Sequence, residues 1–299
     1  MNLEMQAPEW GWYYVAIYFF IAGVSAGAYF IGSLMELFGG EGKGPISRTA
    51  YDIAFPPLLV TPFLLIADLG QPGRFWHLFF DIKGGGPYIN LQSAMSVGSW
   101  ALVVFGVFSF LSFLDNRVAA GHLRCAPFMN LYNRIPRKLY AVVGSVAGFF
   151  VAGYPGVLMN ATAVPLWAAT DPLLGALFIA SSASTGAAAI ALYMAWRKMA
   201  SVDTFGRVEG FDRIAMLVEL VIIAAAIIAA GQFAAPLIRG PYALMFWGGT
   251  VVLGILLPLG LGWYGRRPEA GISFVMGAPI LVLFGGALLR ITFVQAVQM

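Results

Sequence analysis

Residues 213–235 read RIAMLVELVIIAAAIIAAGQFAA, and Glu219 is the single charge after Arg213. An α-helix rises about 1.5 Å per residue, so about 20 such residues span the roughly 30 Å hydrocarbon core of a bilayer. No soluble helix of ordinary amphipathic pattern is apolar all round in this way. Seven more runs share the character: 12–38, 51–68, 91–114, 139–159, 172–196, 243–263 and 273–297. The expected fold class is therefore all-α integral membrane, with eight transmembrane helices. Prolines inside these runs (Pro56, Pro57, Pro62, Pro155, Pro258, Pro279) suit membrane helices, where neighbours satisfy the freed backbone groups. Gly23, Gly27, Ser182 and Gly186 are small enough to let helices approach closely.

Composition agrees. Of the 299 residues, 60% are hydrophobic and 10% charged, against about 25% charged in soluble domains. A mean hydropathy of +0.82 leaves no room for a sizeable soluble domain, and a nucleic-acid partner is not expected. The opening residues carry Glu4 and Glu9 but no Lys or Arg, whereas a cleavable signal needs a positive leading region. The first run is read as a retained membrane helix.

The basic residues are placed unevenly. The connections after runs 1, 3, 5 and 7 hold thirteen Lys and Arg, from Lys43 to Arg267, while those after runs 2, 4 and 6 hold three: Arg74, Lys83 and Arg239. The positive-inside rule then predicts odd connections in the cytoplasm and both termini outside.

Three landmarks recur at nearly one offset. FIAGVSAGA (20–28) resembles FIASSASTGA (178–187); Pro8 precedes a Trp pair as Pro165 precedes Trp167; Gly86-Pro87-Tyr88 matches Gly240-Pro241-Tyr242. The expected organisation is an internal repeat of two tandem four-helix bundles, residues 1–160 and 161–299.

Charges within or at the edge of a span are expensive and are functional candidates. They are Glu36, Asp52, Asp68, Glu219 and Arg290. The densest cluster is Asp68-Leu-Gly-Gln-Pro-Gly-Arg74-Phe-Trp-His77 at the outer end of run 2. An Asp68–Arg74 pair could simply brace the loop. Alternatively, Asp68 exchanges protons with a bound ligand. Tyr18 and Tyr154 fall at the same depth, Tyr154 just before Pro155. Aromatic-belt anchoring is the competing reading of both, and the favoured one for the shallower Tyr14. Two hydroxyls and a carboxylate in an apolar, lipid-accessible wall also suit a quinone. Glu36, Asp52 and Glu219 are candidates for a proton path. Glu219 is expected about two turns inside run 6, too far in depth from Arg290 for a direct ion pair.

Redox metals have no obvious ligands. The one cysteine, Cys125, cannot hold an iron–sulfur cluster, which takes about four thiolates. His77 and His122 are expected on opposite sides and cannot share one haem. Electrons exchanged here would need a carrier in a partner on the outer face, with Trp10, Trp12 and residues 81–90 as docking candidates.

DLGQPGRFWHL (68–78), SAMSVGSW (93–100) and GYPGVLMNATAVPLWA (153–168), in that order, closely resemble motifs of the NrfD/PsrC-like (polysulfide reductase type) membrane subunits, and the resemblance covers almost the whole sequence. It implies eight helices in two four-helix bundles and no haem or metal in this chain. It implies menaquinone or ubiquinone bound in the first bundle, with Asp68 and Arg74 on the family's loop motif and Tyr154 as the helix 4 tyrosine near the quinone; the residues themselves make Asp68 the candidate proton acceptor, with Tyr18, Arg74, His77 and Tyr154 on the same outer side. Some members have a histidine in helix 1 where this sequence has Tyr18. The implied partners are a docked [4Fe–4S] ferredoxin-like subunit and, beyond it, a molybdopterin-type catalytic subunit or multihaem cytochrome, in a bacterial or archaeal cytoplasmic (inner) membrane. A secondary transporter, which should carry polar groups near the midplane at the repeat interface, and a structural anchor for an extracytoplasmic redox enzyme are the competing readings.

Overall fold

The structure is a computed structural model that describes residues 12–38, 44–80, 86–122, 137–162, 164–197, 202–264 and 272–297. Trp10, Cys125 and residues 81–85 lie outside the described residues. Within them the protein is helical, apart from connections and an isolated bridge between Phe80 and Pro87. Eight helices are long and apolar enough to cross a membrane. They are α1 (Tyr14–Phe38), α2 (Gly44–Asp68), α3 (Ala94–Ala119), α4 (Arg137–Asn160), α5 (Leu173–Trp196), α6 (Phe205–Ile238), α7 (Leu244–Trp263) and α8 (Met276–Gln295).

Packing sorts the helices by environment. The most apolar stretch of α1 is 78% buried and that of α5 61% buried, against 28% for α2 and α3. So α1 and α5 form the centre, and the outer helices turn Phe63, Val146, Val221 and Ile228 outward. Around the first four helices, α1 touches α2 and α4, and α3 closes the ring against both. In the second four, α5 touches α6 and α8, and α7 lies on α8. Contacts of α5 with α1 and α4 join the two sets.

The α1–α5 crossing depends on missing side chains. A Cβ on Gly27 would collide with the Ser182 carbonyl, and one on Gly186 with the Gly27 backbone. Close backbone approach of this kind replaces the hydrophobic drive that lipid removes. The two similar strings, 20–28 and 178–187, thus face each other here.

Two helices start earlier than their apolar runs. α2 begins at Gly44, seven residues before residue 51. The helix containing α6 begins at Val202 rather than 213. The leading turns carry polar residues that hydropathy excludes, yet nothing in them breaks a helix. Glu219 therefore stands fourteen residues from the start of α6, roughly 21 Å at 1.5 Å per residue.

Candidate functional site

Helix α2 is not continuous, and its break builds the site. Residues 55–62 read FPPLLVTP. Pro62 has no N–H to give to the Leu58 carbonyl four residues back. Thr61 Oγ1 donates to that carbonyl instead, at 2.7 Å. Leu59 N and Val60 N donate to the carbonyls of Pro56 and Pro57 at 3.3 and 3.1 Å, a tightened turn. The helix stops at Leu58 and restarts at Thr61. Leu59, Val60 and Phe63 are left exposed, facing lipid in a membrane.

Behind this break lies a cavity of about 420 Å³. Its walls come from both halves of α2 (Leu58, Pro62, Ile66), from α3 (Gly98, Leu102, Gly106), and from Tyr18 and Tyr154. The lining is apolar but for hydroxyls. Ser99 Oγ donates to its own helix at Met95 O, 2.8 Å, which leaves the Tyr18 and Tyr154 hydroxyls as the groups able to orient a ligand. Both tyrosines are buried, at 2% and 6% exposure. The Tyr154 ring occupies the space where Gly98 lacks a side chain; a Cβ there would overlap the ring. The Phe150 ring stacks on it, 6.2 Å between centroids.

The residues after α2 form the lid. Pro72–Leu78 is a 3-10 helix, and Phe75, Leu78 and Phe79 reach the cavity. α3 holds the lid down. Ser96 Oγ donates to Leu78 O at 3.0 Å, Trp100 Nε1 donates to Tyr88 O at 3.1 Å, and the Phe79 and Trp100 rings meet edge to face at 5.5 Å. The two sequence motifs 68–78 and 93–100 are thus one packed unit.

The structure brings Tyr18 and Tyr154 together on this cavity. Asp68, Arg74 and His77 stand beside it rather than in its lining. Asp68 is half-buried at the end of α2 between the lining residues Ile66 and Leu69. Arg74 is exposed, and His77 is half-buried with its ring against Trp76, 3.9 Å between centroids.

Glu36 and Asp52 lie at the opposite end of the same helices, in an ionic cluster. Arg137 Nε is 2.6 Å from Asp115 Oδ2 and 3.4 Å from Glu36 Oε1. Ser47 Oγ donates to Glu36 at 3.0 Å. Arg117 Nη2 is 2.8 Å from Asp52 Oδ2, and Asn116 Nδ2 donates to Asp52 Oδ1 at 2.6 Å. Asp115 escaped the sequence reading because its run was ended at residue 114.

Glu219 is 4% exposed and hydrogen-bonds Ser181, whose hydroxyl also accepts from Arg290 Nη1 at 3.1 Å. A serine thus bridges the two charges. Asp212, seven residues before Glu219 and so on the same face of α6, accepts from Ser184 Oγ at 2.7 Å. It too was missed, one residue outside its run.

Eight membrane-crossing helices around an apolar cavity lined by Tyr18 and Tyr154 define a class: multi-pass membrane proteins. The protein belongs to the NrfD family, described as "Polysulphide reductase, NrfD", which matches residues 2–299. It is similar to the C subunit of polysulfide reductase from Wolinella succinogenes, with 29% identity over 315 residues, covering 97% of this sequence and 94% of that protein. It is also similar to the NrfD homolog of Haemophilus influenzae (26% identity, 99% of this sequence, 97% of that protein) and to protein NrfD of Escherichia coli (25%, 99% and 97%).

Proposed function

We propose that the protein is the quinone-handling membrane subunit of a respiratory oxidoreductase, exchanging electrons between the quinone pool and a docked iron–sulfur subunit. The observation that carries this reading is the cavity: about 420 Å³, apolar, behind a break in α2, with two tyrosine hydroxyls. Its size falls in the range of about 300–1,000 Å³ usual for ligand pockets. Apolar walls suit a quinone ring and tail, and hydroxyls suit its carbonyl oxygens.

A quinone supplies coupled two-electron, two-proton chemistry. The protein's part is to bind, orient and move protons. Tyr18 and Tyr154 donate hydrogen bonds to the carbonyl oxygens. The lid residues Phe75, Leu78 and Phe79 exclude water. Asp68, beside the cavity at the water-facing end of α2, takes or returns the proton, and Arg74 and His77 lie in the turn that follows. Menaquinone and ubiquinone both meet these requirements. The [4Fe–4S] partner docks over the lid, with a molybdopterin-type subunit or multihaem cytochrome beyond it, on the outer face of a bacterial or archaeal cytoplasmic membrane.

The test is to purify the protein in mild detergent with whatever associates. Bound quinone, and a quinone-dependent spectral change in a partner's iron–sulfur clusters, are the expected results. An Asp68→Asn variant should assemble, keep its quinone and show a much slower spectral change. Absence of both quinone and redox partner would overturn the reading and turn attention to transport.

A second reading, proton movement through the span, draws on Asp212, Ser184, Ser181 and Glu219 standing along the α5–α6 contact. It predicts that Glu219→Gln abolishes quinone-dependent acidification in proteoliposomes while leaving electron transfer intact.

A further inference from the structure

A guanidinium in a membrane interior is costly unless it is paired and fully hydrogen-bonded. Arg290 is 1% exposed, and its guanidinium makes four hydrogen bonds. Nη1 donates to Gly286 O at 2.8 Å and to Ser181 Oγ at 3.1 Å; Nη2 donates to Ser182 Oγ at 3.0 Å. Its plane lies near the rings of Phe20 and Phe178, at 5.9 and 5.7 Å. Glu219 supplies the counter-charge through Ser181. These hydrogen-bond partners all belong to α5, α6 or α8 itself.

The remaining bond leaves the second set of helices. Arg290 Nε donates to the Phe19 carbonyl of α1 at 3.1 Å. Phe19 is the neighbour of Tyr18, and their rings meet at 5.4 Å. This stretch follows a change of winding: residues Trp12–Ala16 are π-helical and the α-helix begins at Ile17. Gly23, one turn further along α1, makes room for the guanidinium; a Cβ there would lie 2.5 Å from Nη2 and 2.7 Å from Ser182 Oγ.

We infer that Arg290 is a positioning residue for the cavity: by gripping the Phe19 carbonyl from α8, it holds the first regular turn of α1 so that the Tyr18 hydroxyl faces the ligand. The second four helices thereby set the geometry of a site built in the first four. The inference rests on the quinone reading of the cavity. A planar fork with donors at Nε and both Nη atoms does this, and the point charge of a lysine cannot.

The experiment measures binding of menadione and a short-tailed ubiquinone analogue to the purified full-length protein by tryptophan quenching. The variants are Arg290→Lys, Tyr18→Phe and the pair together. Each single change should weaken binding about tenfold, the scale of one hydrogen bond. The pair should be no weaker than Tyr18→Phe alone, because residues acting through one contact are not additive. Should Arg290→Lys fail to fold, Gly23→Ala takes its place, since it displaces the guanidinium and keeps the charge. It should show the same non-additivity with Tyr18→Phe. Normal binding by Tyr18→Phe overturns the cavity reading and this inference with it. Weakened binding by Tyr18→Phe, but wild-type binding by the Arg290 and Gly23 variants or losses that multiply in the pair, overturns this inference alone.

Discussion

Tyr154 is held by an absence. The ring fills the hollow at Gly98, between α3 and α4, with Phe150 stacked on it. A methyl group at that point must push the ring out. Gly98→Ala is expected to lower quinone affinity about tenfold while the protein still elutes as a single species, as Tyr154→Phe should. Asp68→Asn should behave differently. It leaves quinone content unchanged and slows quinol-dependent reduction of the partner by about a hundredfold, the low end for a lost proton acceptor. Stopped-flow reduction beside quinone extraction separates the two patterns. Tyr18, Tyr154 and Asp68 were all legible in the sequence as polar groups at one depth. Their inequality was not: the tyrosines line the cavity and Asp68 stands beside it, a matter of side-chain direction that depth along a helix does not contain.

Helix α2 carries the next level. Its three prolines could be read in advance, but not that the Thr61 hydroxyl replaces the N–H missing at Pro62. Thr61→Val leaves the Leu58 carbonyl unpaired in a dry setting. Membrane hydrogen bonds average about 0.6 kcal/mol and reach about 1.7, and a loss in that range should appear in detergent thermal unfolding. Gly106 of α3 faces the cavity with little against it; the nearest atom to an added Cβ is Leu58 Cδ2 at 3.9 Å. Gly106→Trp is therefore expected to fold normally and to exclude long-tailed quinones, with a tailless naphthoquinone least affected in a binding series. Element ends are the least legible feature of the sequence. Asp115 and Asp212 were passed over because apolar runs were cut one residue short of them, whereas both helices continue and turn these carboxylates inward onto Arg137 and Ser184.

Across the whole molecule the decisive contact is the α1–α5 crossing. Gly27→Val forces the helices apart at the Ser182 carbonyl, and overpacking of this sort costs about 1–3 kcal/mol. Gly260→Ala, with open space around it, is the control, and the melting temperatures of the two should separate clearly. Membrane residence, eight spans and family membership were settled by the sequence itself, because the energy of placing side chains in hydrocarbon is summed residue by residue along the polypeptide. The motifs 68–78, 93–100 and 153–168 are legible because each is a contiguous string, and residues of all three line the cavity. Tertiary structure alone decided the rest. It made a proline-broken helix into a cavity wall, seated Tyr154 in the hollow of Gly98, joined Glu219 to Arg290 through Ser181 from a third helix, and brought α8 to the Phe19 carbonyl, 271 residues away in sequence. Such contacts depend on distances and directions between helices, and hydropathy holds no record of either.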